Sequence, residues 1–325
     1  MSRKILVTGA AGYIGSVLVR QLLSRGYSVI GMDILNFGGE SLVGVYNNPR
    51  FSFFKGDVRN EKDAKEGLKG VDAVVHLAAI VGDPACSKQP DLAKETNWES
   101  SKLLFNLAVE EKTVKNFVFA STCSNYGKMV GDGVVDEKSP LSPVSLYAEL
   151  KVKFEKYILD SNTRTDFVPT SLRFATVYGI SPRMRFDLTV NEFMREVAFD
   201  HKLRIFGEQF WRPYTHVEDL AASCILVLES DKQKIVREVF NVGDTNENYQ
   251  KKMIAEEILK LVPSARISYV HKEEDPRDYR VNFSKIKESL GFRVTKTVPQ
   301  GLKEIHSILQ NGLLSDPFSS KYKNI

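Results

Sequence analysis

The sequence has few cysteines and histidines, nearly balanced charges and no long apolar run. Its three cysteines, Cys86, Cys123 and Cys224, are odd in number and widely spaced, which argues against a disulfide framework. Its five histidines lack the spacing of metal ligands, so we expect no bound metal. Lys and Arg number 45 against 41 Asp and Glu, which leaves no electrostatic case for a nucleic-acid or membrane partner.

The remaining absences concern targeting. Every apolar run is shorter than the ~20 residues that a membrane helix needs, and the N-terminal segment lacks the pattern of a signal peptide. These features predict a cytosolic protein. At 325 residues, the chain suits about two domains, or one large domain with an added lobe.

The most informative positive feature is an apolar strand that runs directly into a glycine-rich turn. Residues 4–8 precede Gly9, Gly12 and Gly15, and a helical pattern follows at 17–23. Such a turn needs glycine at the bend, where backbone approaches a pyrophosphate, and where helix packs on strand. The helix N-terminus offers free N–H groups and the positive end of its dipole to the phosphates, so the segment predicts a dinucleotide site.

A carboxylate at the end of the next strand-like run bears on the choice of dinucleotide. Asp33 follows residues 27–32, where a dinucleotide-binding fold hydrogen-bonds the adenosine ribose. It would accept a hydrogen bond from a free 2′-hydroxyl and repel a 2′-phosphate. The following residues 34–36 supply no cation for that phosphate, so the sequence predicts NAD rather than NADP.

Strand-like and helical patterns alternate through the first half of the chain, which predicts a parallel sheet covered by helices on both faces. The strand-like runs are 4–8, 27–33, 51–57, 73–78, 116–121 and 167–176, and the long helical patterns are 92–112 and 144–159. We therefore expect an α/β fold, with a Rossmann doubly wound parallel sheet in residues 1–178.

The second half has a looser pattern and predicts a smaller C-terminal α/β substrate-binding lobe in residues 179–325. Its short strand-like runs are 203–206, 239–242 and 267–270, and its helical stretches are 188–199, 217–228, 253–261 and 302–309. Ligands of such sheets bind at the carboxyl ends of the strands, where we place this lobe. Some of the chain is expected to cross back to the first domain.

Tyr147 and Lys151 lie one helical turn apart, in the helix that precedes the sixth strand. The spacing alone has little weight, but the position is at the carboxyl edge of the sheet, one strand after Ser121 and Thr122. A phenol can act there as a base at neutral pH only if its pKa falls from about 10 to about 7. A lysine cation and a neighbouring nicotinamide charge could stabilise the phenolate, so we interpret the pair as catalytic rather than as a solvated helix face.

These features occur together in one family. The chain resembles an extended short-chain dehydrogenase/reductase, in the NAD-dependent branch of nucleotide-sugar epimerases and dehydratases that includes UDP-glucose 4-epimerases. The resemblance covers nearly the whole chain. It rests on Thr8–Gly15, Gly56-Asp57-Val58, His76–Ala79, Asn97, Ser121-Thr122, Tyr147-x-x-x-Lys151 and the segment 212–219.

The resemblance implies a role for each matching position. Thr122 would hydrogen-bond the reacting sugar hydroxyl, Tyr147 would take its proton, and Lys151 would bind the nicotinamide ribose and tune Tyr147. Arg212 matches an arginine on the substrate diphosphate, and Asn191 resembles another substrate contact. The implied NAD-binding residues are Gly9, Gly12, Tyr13, Ile14, Gly15, Asp33, Asp57, Val58, Leu77, Ala78, Ala79, Asn97, Tyr147 and Lys151. The resemblance implies that residues 57–58 contact the adenine and that residues 77–79 lie along the nicotinamide side of NAD.

One departure from the family pattern narrows the reaction. Sugar 4,6-dehydratases that resemble this chain have an Asp-Glu pair after the catalytic Thr, and decarboxylases usually have a carboxylate at the second position. Here Cys123 and Ser124 follow Thr122, and neither can act as a carboxylate acid or base at neutral pH. Dehydration is therefore disfavoured. We interpret Cys123 as a small side chain lining the sugar pocket rather than a nucleophile, because the sequence shows no neighbouring histidine.

The loop 179–187 contains two further candidates. Arg183 and Arg185 could clamp a phosphate or an unusual sugar, or the loop could be a solvated surface segment. This loop and the segment 275–279 resemble NAD-dependent enzymes that oxidise C4 of nucleotide-linked heptoses, such as GDP-heptoses. The candidate substrate contacts are Cys123, Ser124, Thr176, Arg183, Arg185, Asn191, Arg212 and Arg277.

The resemblance implies hydride transfer to NAD from a sugar carbon, which we expect to be C4. It leaves two reactions open. In an epimerase the keto sugar turns over and takes the hydride back, whereas in a C4 dehydrogenase it leaves and NADH must be reoxidised elsewhere. We expect an epimerase, with the dehydrogenase as the alternative. A catalytically silent NAD-binding scaffold or sensor is the hypothesis of another class, although Thr122, Tyr147 and Lys151 are all present.

The resemblance also predicts a homodimer, with a higher homo-oligomer as the alternative. Family members pair two long helices into a four-helix bundle, here the helical patterns at 92–112 and 145–160. Both patterns contain more apolar residues than one buried face requires.

Overall fold

A computed structural model describes residues 3–128, 133–275 and 277–324. The strands are β1 (Lys4–Thr8), β2 (Ser28–Asp33), β3 (Phe51–Lys55), β4 (Ala73–His76), β5 (Asn116–Thr122), β6 (Val168–Phe174), β7 (Thr176–Tyr178), β8 (Lys202–Phe206), β9 (Trp211–His216), β10 (Glu238–Val242), β11 (Asn248–Gln250) and β12 (Arg266–Val270). Among the described residues, seven of these strands form one sheet in the order β10-β6-β5-β4-β1-β2-β3, and every neighbouring pair in it is parallel.

Helices cover both faces of this sheet, as the alternating pattern predicts. The helices of the described residues are α1 (Gly15–Ser24), α2 (Glu61–Leu68), α3 (Asp83–Lys88), α4 (Pro90–Lys94), α5 (Ser100–Glu110), α6 (Leu146–Asp160), α7 (Thr189–Asp200), α8 (Val217–Glu229), α9 (Lys232–Ile235), α10 (Lys251–Leu261), α11 (Ser284–Leu290) and α12 (Val298–Gln310). Successive side chains of β1 point to opposite faces. Ile5 and Val7 pack with α1 and α8, whereas Leu6 packs with α2, α5 and α6.

The helical pattern predicted over 92–112 is interrupted in the structure. Between α4 and α5, residues Glu95–Glu99 form a π-helical turn. The hydroxyl of Ser100 donates to the carbonyl oxygen of Thr96 within this turn. A widened turn of this kind is frequent at functional sites, and here it presents the buried Asn97 side chain to the loop after β4.

The run predicted as one strand over 167–176 divides into two strands. β6 ends at Phe174, and β7 pairs with β9, which in turn pairs antiparallel with β11. β8 and β12 form a separate parallel pair. Helices α7, α10 and α12 pack together over these strands in a second apolar core. This second lobe stands after β6, at the carboxyl edge of the central sheet.

Part of the second half returns to the central sheet. Helix α8 packs against α1 in the first core, and β10 adds to the sheet beside β6. The division of the chain at residue 178, with some chain crossing back to the first domain, stays a prediction. No helix in the described part of the chain is long and apolar enough to span a bilayer.

Candidate active site

The glycine-rich turn after β1 is shaped to receive a pyrophosphate. A Cβ added to Gly15 would lie 2.0 Å from the carbonyl oxygen of Gly9, so α1 can start this close to the turn only with glycine there. The N–H groups of Tyr13 and Ile14 have no acceptor among the described residues. These free donors, at the start of α1, are what a phosphate needs, so the turn fits the diphosphate of NAD.

Asp33 closes the same turn at the end of β2. Its carboxylate accepts hydrogen bonds from the N–H groups of Ala11 (3.0 Å) and Leu35 (2.8 Å). Burial raises the pKa of this carboxyl, and the two N–H donors act to lower it. The carboxylate is thus fixed in place beside the glycine-rich turn, where it is predicted to meet the adenosine ribose.

The residues predicted to contact adenine follow β3. The Asp57 carboxylate pairs with Arg59 at 2.6 Å, and this pairing lowers the pKa of Asp57. The Val58 side chain is buried in the core beneath α2. Asp57 therefore reaches its predicted position with its charge already balanced by a neighbour in the chain.

The loop after β4, predicted to lie along the nicotinamide, is held by buried polar groups. His76 lies between the hydroxyls of Thr8 (2.8 Å) and Ser101 (3.0 Å), and burial lowers its pKa to about 3. Asn97 accepts from the N–H of Ile80 and donates to its carbonyl oxygen, both at 2.8 Å. Since both ends of this amide are used, Asn97 orders the loop that contains Leu77, Ala78 and Ala79.

Tyr147 and Lys151 lie on the first two turns of α6. The Ser145 hydroxyl caps this helix, accepting from the N–H of Ala148. The Lys151 side chain is buried, and its Nζ donates to the carbonyl oxygen of Ala120 on β5 at 2.7 Å. The same Nζ is 4.6 Å from the ring centre of Phe119 and 5.9 Å from that of Tyr147. The ammonium therefore lies between the end of β5 and the phenol.

The protein alone does not activate Tyr147 as a base. Burial raises the pKa of the phenol, and Cys86 and Asp83 raise it further, against the lowering effect of Arg185. Burial also lowers the pKa of Lys151 to about 7. Both shifts disfavour a charged pair, so the phenolate and the ammonium need additional stabilisation from whatever occupies the site.

The turn after β5 carries the remaining catalytic candidate. Thr122 ends β5, and its hydroxyl oxygen accepts from the N–H of Ser124 at 3.1 Å. The Cys123 thiol is buried and donates to the carbonyl oxygen of Arg173, and burial raises its pKa. The Ser124 hydroxyl is 3.4 Å from the hydroxyl of Tyr279. Cys123 is therefore a buried packing residue whose thiol stays protonated, whereas the Ser124 hydroxyl faces Tyr279 of the second lobe.

A chain of polar contacts links the second lobe to the start of α6. Arg212 pairs with Asp275 at 2.9 Å and lies over the Tyr279 ring, 5.4 Å from its centre. Arg277 pairs with the Asp83 carboxylate at 2.9 Å, and Asp83 accepts from the Ser145 cap at 2.6 Å. Arg212 and Arg277 are thus brought to the side of the cleft that faces Tyr147.

The other predicted substrate contacts have different surroundings in the structure. Arg185 donates twice to Asp187 and lies within electrostatic range of Tyr147. Thr176 is half-buried at the start of β7, and its role as a substrate contact stays a prediction. Asn191 is fully buried, and its amide bonds to Tyr13, to Gly179 and to the backbone of Arg185. The role of Asn191 as a substrate contact stays a prediction. In the structure its amide holds the loop 179–187 in place.

Arg183 makes different contacts from those of Arg185. Its guanidinium lies 4.2 Å from the ring centre of Phe37, in the loop after β2, and within electrostatic range of Asp33. The loop 179–187 is bonded to the glycine-rich turn, since the Ser181 hydroxyl donates to the carbonyl oxygen of Tyr13. This attachment places Arg183 beside the glycine-rich turn and the loop after β2, and its role as a substrate contact stays a prediction.

Four residues of the site were not identified from the sequence: Asp83, Asp187, Asp275 and Tyr279. The three carboxylates each balance a predicted arginine. Asp187 and Asp275 belong to the segments 179–187 and 275–279, whereas no motif marks Asp83. Two of them leave a weak signal, because Asp187 and Asp275 each lie two residues from the arginine that they contact. Tyr279 adds a buried phenol beside Ser124.

Comparison with known proteins assigns the chain to a family. The model of the NAD dependent epimerase/dehydratase family matches residues 5–243, and the chain belongs to this family. The predicted family, the doubly wound α/β fold and NAD as the cofactor are confirmed.

Individual relatives span almost all of the chain. An uncharacterised UDP-glucose epimerase of Bacillus subtilis is 32% identical over 316 residues, covering 92% of this chain and 95% of that protein. The crystal structure of UDP-glucuronic acid 4-epimerase from Bacillus cereus, with UDP-glucuronic acid and NAD, has a TM-score of 0.83 and 28% identity, covering 95% and 99%. A dTDP-glucose 4,6-dehydratase from Streptomyces venezuelae also has a TM-score of 0.83, with 27% identity and 95% and 98% coverage.

Proposed function

We propose that the protein is an NAD-dependent nucleotide-sugar epimerase that acts at C4 through a 4-keto intermediate. The observation that carries the proposal is the position of Tyr147 and Lys151 on α6, with the Lys151 ammonium bonded to the end of β5, where Thr122 lies. The catalytic residues are Thr122, Tyr147 and Lys151. The relatives named UDP-glucose and UDP-glucuronic acid epimerases make UDP-sugars the first substrates to test.

The chain's own side chains account for the proton and the orientation. Thr122 orients the reacting hydroxyl, and the Tyr147 phenolate removes its proton as the C–H bond gives up hydride. NAD, when bound, accepts that hydride and adds the positive charge of its nicotinamide. Tyr147 returns the proton when hydride re-enters on the other face of the keto sugar. Arg212 and Arg277 hold the diphosphate while the sugar turns over.

Lys151 allows Tyr147 to act as a base only when cofactor and substrate are bound. Its charge is disfavoured by burial, and bonds from its ammonium to ligand oxygens favour the charged form again. A charged Lys151 then lowers the pKa of Tyr147 toward neutrality. The phenolate therefore forms when substrate and cofactor are both in place.

The turn after β5 argues against dehydration. Elimination of water needs an acid and a base near C5 and C6, and this turn offers a buried thiol and a hydroxyl. The similarity in fold to a sugar dehydratase therefore does not extend to the carboxylates that such a reaction requires.

A panel of nucleotide sugars, read by mass spectrometry and by NADH absorbance, tests the proposal. A product of unchanged mass without net NADH is expected. A product lighter by two hydrogens with stoichiometric NADH would support the C4 dehydrogenase instead, and loss of water would refute both.

Tyrosine variants test the assignment of the base. Tyr147→Phe is expected to lower the rate of hydride transfer by about 10²–10⁴-fold while leaving NAD affinity intact. Tyr157→Phe is a matched control, because this tyrosine lies on the same helix and bonds to Asn106 at the surface. Equal activity of Tyr147→Phe and Tyr157→Phe would remove Tyr147 from the mechanism.

We also propose a homodimer in which the partner covers α5 and α6. On α5, Leu104, Phe105 and Ala108 fill the core, whereas Leu103 and Leu107 are only half-buried. On α6, Tyr157 is half-buried on the same outer side and bonds to Asn106. These apolar side chains supply part of the surface that helix pairing would cover.

The compartment is proposed to be the cytoplasm. The three cysteines are free and buried, which suits a reducing environment. Fractionation of the source cells with a cytoplasmic marker tests this directly, and recovery with an extracellular or periplasmic fraction would contradict it.

A further inference from the structure

Arg183 is a buried cation with spare hydrogen-bonding capacity beside the cofactor site. Its side chain is 7% exposed, and one of its N–H groups, at Nη2, donates to the carbonyl oxygen of Lys323. Its Nε has no acceptor among the described residues. A buried guanidinium that keeps a free donor is costly unless a ligand supplies the acceptor.

The surroundings of the guanidinium identify the side of the cleft that it serves. One face lies over the Phe37 ring at 4.2 Å, in the loop after β2. Asp33 is within electrostatic range, yet the two groups form no ion pair among those that the described residues make. The Asp33 carboxylate is instead held by the N–H groups of Ala11 and Leu35. A fixed carboxylate and a buried guanidinium therefore lie within electrostatic range of each other without forming an ion pair.

We propose that Arg183 is a cofactor-binding residue that closes the adenosine-ribose end of the NAD site from the second lobe. A ribose has hydroxyls that donate to a carboxylate and accept from a guanidinium, so it satisfies Asp33 and Arg183 together. The Phe37 ring stabilises the guanidinium from one side by a cation–π contact, and the ribose would bind it from another. The proposal rests on the NAD site of the proposed function and is independent of its sugar chemistry.

The loop that carries Arg183 is anchored on both sides. Ser181 and Tyr13 bond the loop to the glycine-rich turn, through the Ser181 hydroxyl and the Tyr13 phenol. On the other side, the N–H of Phe186 donates to the carbonyl oxygen of Tyr322 in the C-terminal segment, which also supplies the Lys323 carbonyl to Arg183. Arg183 is thus held in position before NAD arrives, and the C-terminal segment contributes to NAD retention.

Binding measurements on Arg183→Met test this inference. The variant should bind NAD and ADP-ribose about 10- to 100-fold more weakly, since a charge-assisted hydrogen bond to the ribose is lost. Nicotinamide mononucleotide, which lacks the adenosine ribose, should bind equally to both proteins. Arg183→Lys should recover part of the affinity.

Arg195→Met is the matched control. Arg195 is also buried in the second lobe, packs on the C-terminal Phe318 at 4.5 Å and has an unpartnered Nε, but it lies against Phe186 instead of Phe37. Its substitution should leave ADP-ribose affinity unchanged. Because Phe37 is exposed, Phe37→Ala is a second variant that should fold and weaken ADP-ribose binding.

Three results would overturn the inference. They are unchanged ADP-ribose affinity in folded Arg183→Met, an equal loss in Arg195→Met, and NADP binding as tight as NAD binding in the unmodified protein. The last result would mean that Arg183 serves a 2′-phosphate. Failure of the unmodified protein to bind NAD at all would instead contradict the proposed function.

Discussion

Glu155 and Arg173 form a buried ion pair beneath the carboxyl edge of the sheet. Arg173 on β6 donates through Nε and Nη2 to the Glu155 carboxylate, with a shortest distance of 2.5 Å. Glu155 lies one turn after Lys151 on α6, and Arg173 also donates to the hydroxyl of Tyr126 in the turn after β5. The pair therefore connects the helix of the proposed base to the turn that follows Thr122.

Breaking this pair should destabilise the protein strongly. Glu155→Leu leaves the Arg173 guanidinium buried without its counter-charge, which should lower the free energy of unfolding by about 3–5 kcal/mol. Adding Arg173→Leu should recover most of that loss, because neither charge is then buried. Urea unfolding of the NAD-free protein measures both effects.

The exposed pair of Lys115 and Asp166 is the control for this prediction. Both side chains are about half exposed, so solvent screens the pair and Asp166→Ala should barely change the midpoint of urea unfolding. A Glu155→Leu variant no less stable than Asp166→Ala would show that the buried pair does not hold α6 in place.

The part of the site that lies within single segments could be predicted from the sequence. The glycine-rich turn with Asp33, and the pair Tyr147 and Lys151, each depend on local spacing and on a position at the end of a strand. The strands β8, β10 and β12 were also predicted within one or two residues. Each of these features can be predicted because it depends on residues that lie close together in the sequence. The signals are apolar periodicity and the positions of glycine and charged residues.

The rest depends on distant segments that meet in the fold. Arg277 and Asp83 are 194 residues apart in sequence, and nothing local indicates that they pair across the cleft. The run 239–242 predicts a strand but not its place beside β6 in the central sheet. Arg183 and Arg185 share one loop, yet Arg183 lies over the Phe37 ring whereas Arg185 pairs with Asp187, and the sequence does not distinguish these contacts.

NAD should be preferred over NADP because Asp33 occupies the ribose end of the site. The unmodified protein should bind NAD at least about 10-fold more tightly than NADP, since a 2′-phosphate would approach a fixed carboxylate. Asp33→Ala should weaken NAD binding and narrow the difference. Titration calorimetry with both dinucleotides measures the ratio, and equal or tighter binding of NADP would contradict the role of Asp33.

Leu103 is the residue whose substitution should separate the proposed dimer. It is a half-buried leucine on α5, and Leu103→Arg would place a charge in a helix-pairing interface. Light scattering at micromolar concentration should show a dimer for the unmodified protein and a monomer for this variant. Leu313→Arg, at an exposed leucine outside α5 and α6, should remain dimeric. A monomeric unmodified protein would refute the prediction.

Lys151 should make the stability of the NAD-free protein rise with pH above neutrality. Burial lowers its pKa to about 7 in the folded protein, whereas an unfolded lysine has a pKa near 10.4. Between these values the unfolded chain binds the extra proton, so raising the pH favours the folded state by up to about 1.4 kcal/mol per pH unit. Lys151→Met removes the titrating group and should be more stable at pH 7.

The difference in melting temperature between the two proteins isolates this contribution. It should shrink steadily from pH 7 to pH 8.5, below the range where the neighbouring Cys86 titrates, because burial raises the pKa of that thiol to about 11. Lys115→Met, at a half-exposed lysine, is the control for loss of a lysine at the surface. With NAD bound, the ammonium gains ligand oxygens and the advantage of Lys151→Met should reverse. A constant difference between Lys151→Met and the unmodified protein over this range would mean that Lys151 does not titrate there, and that its charge is not controlled by burial.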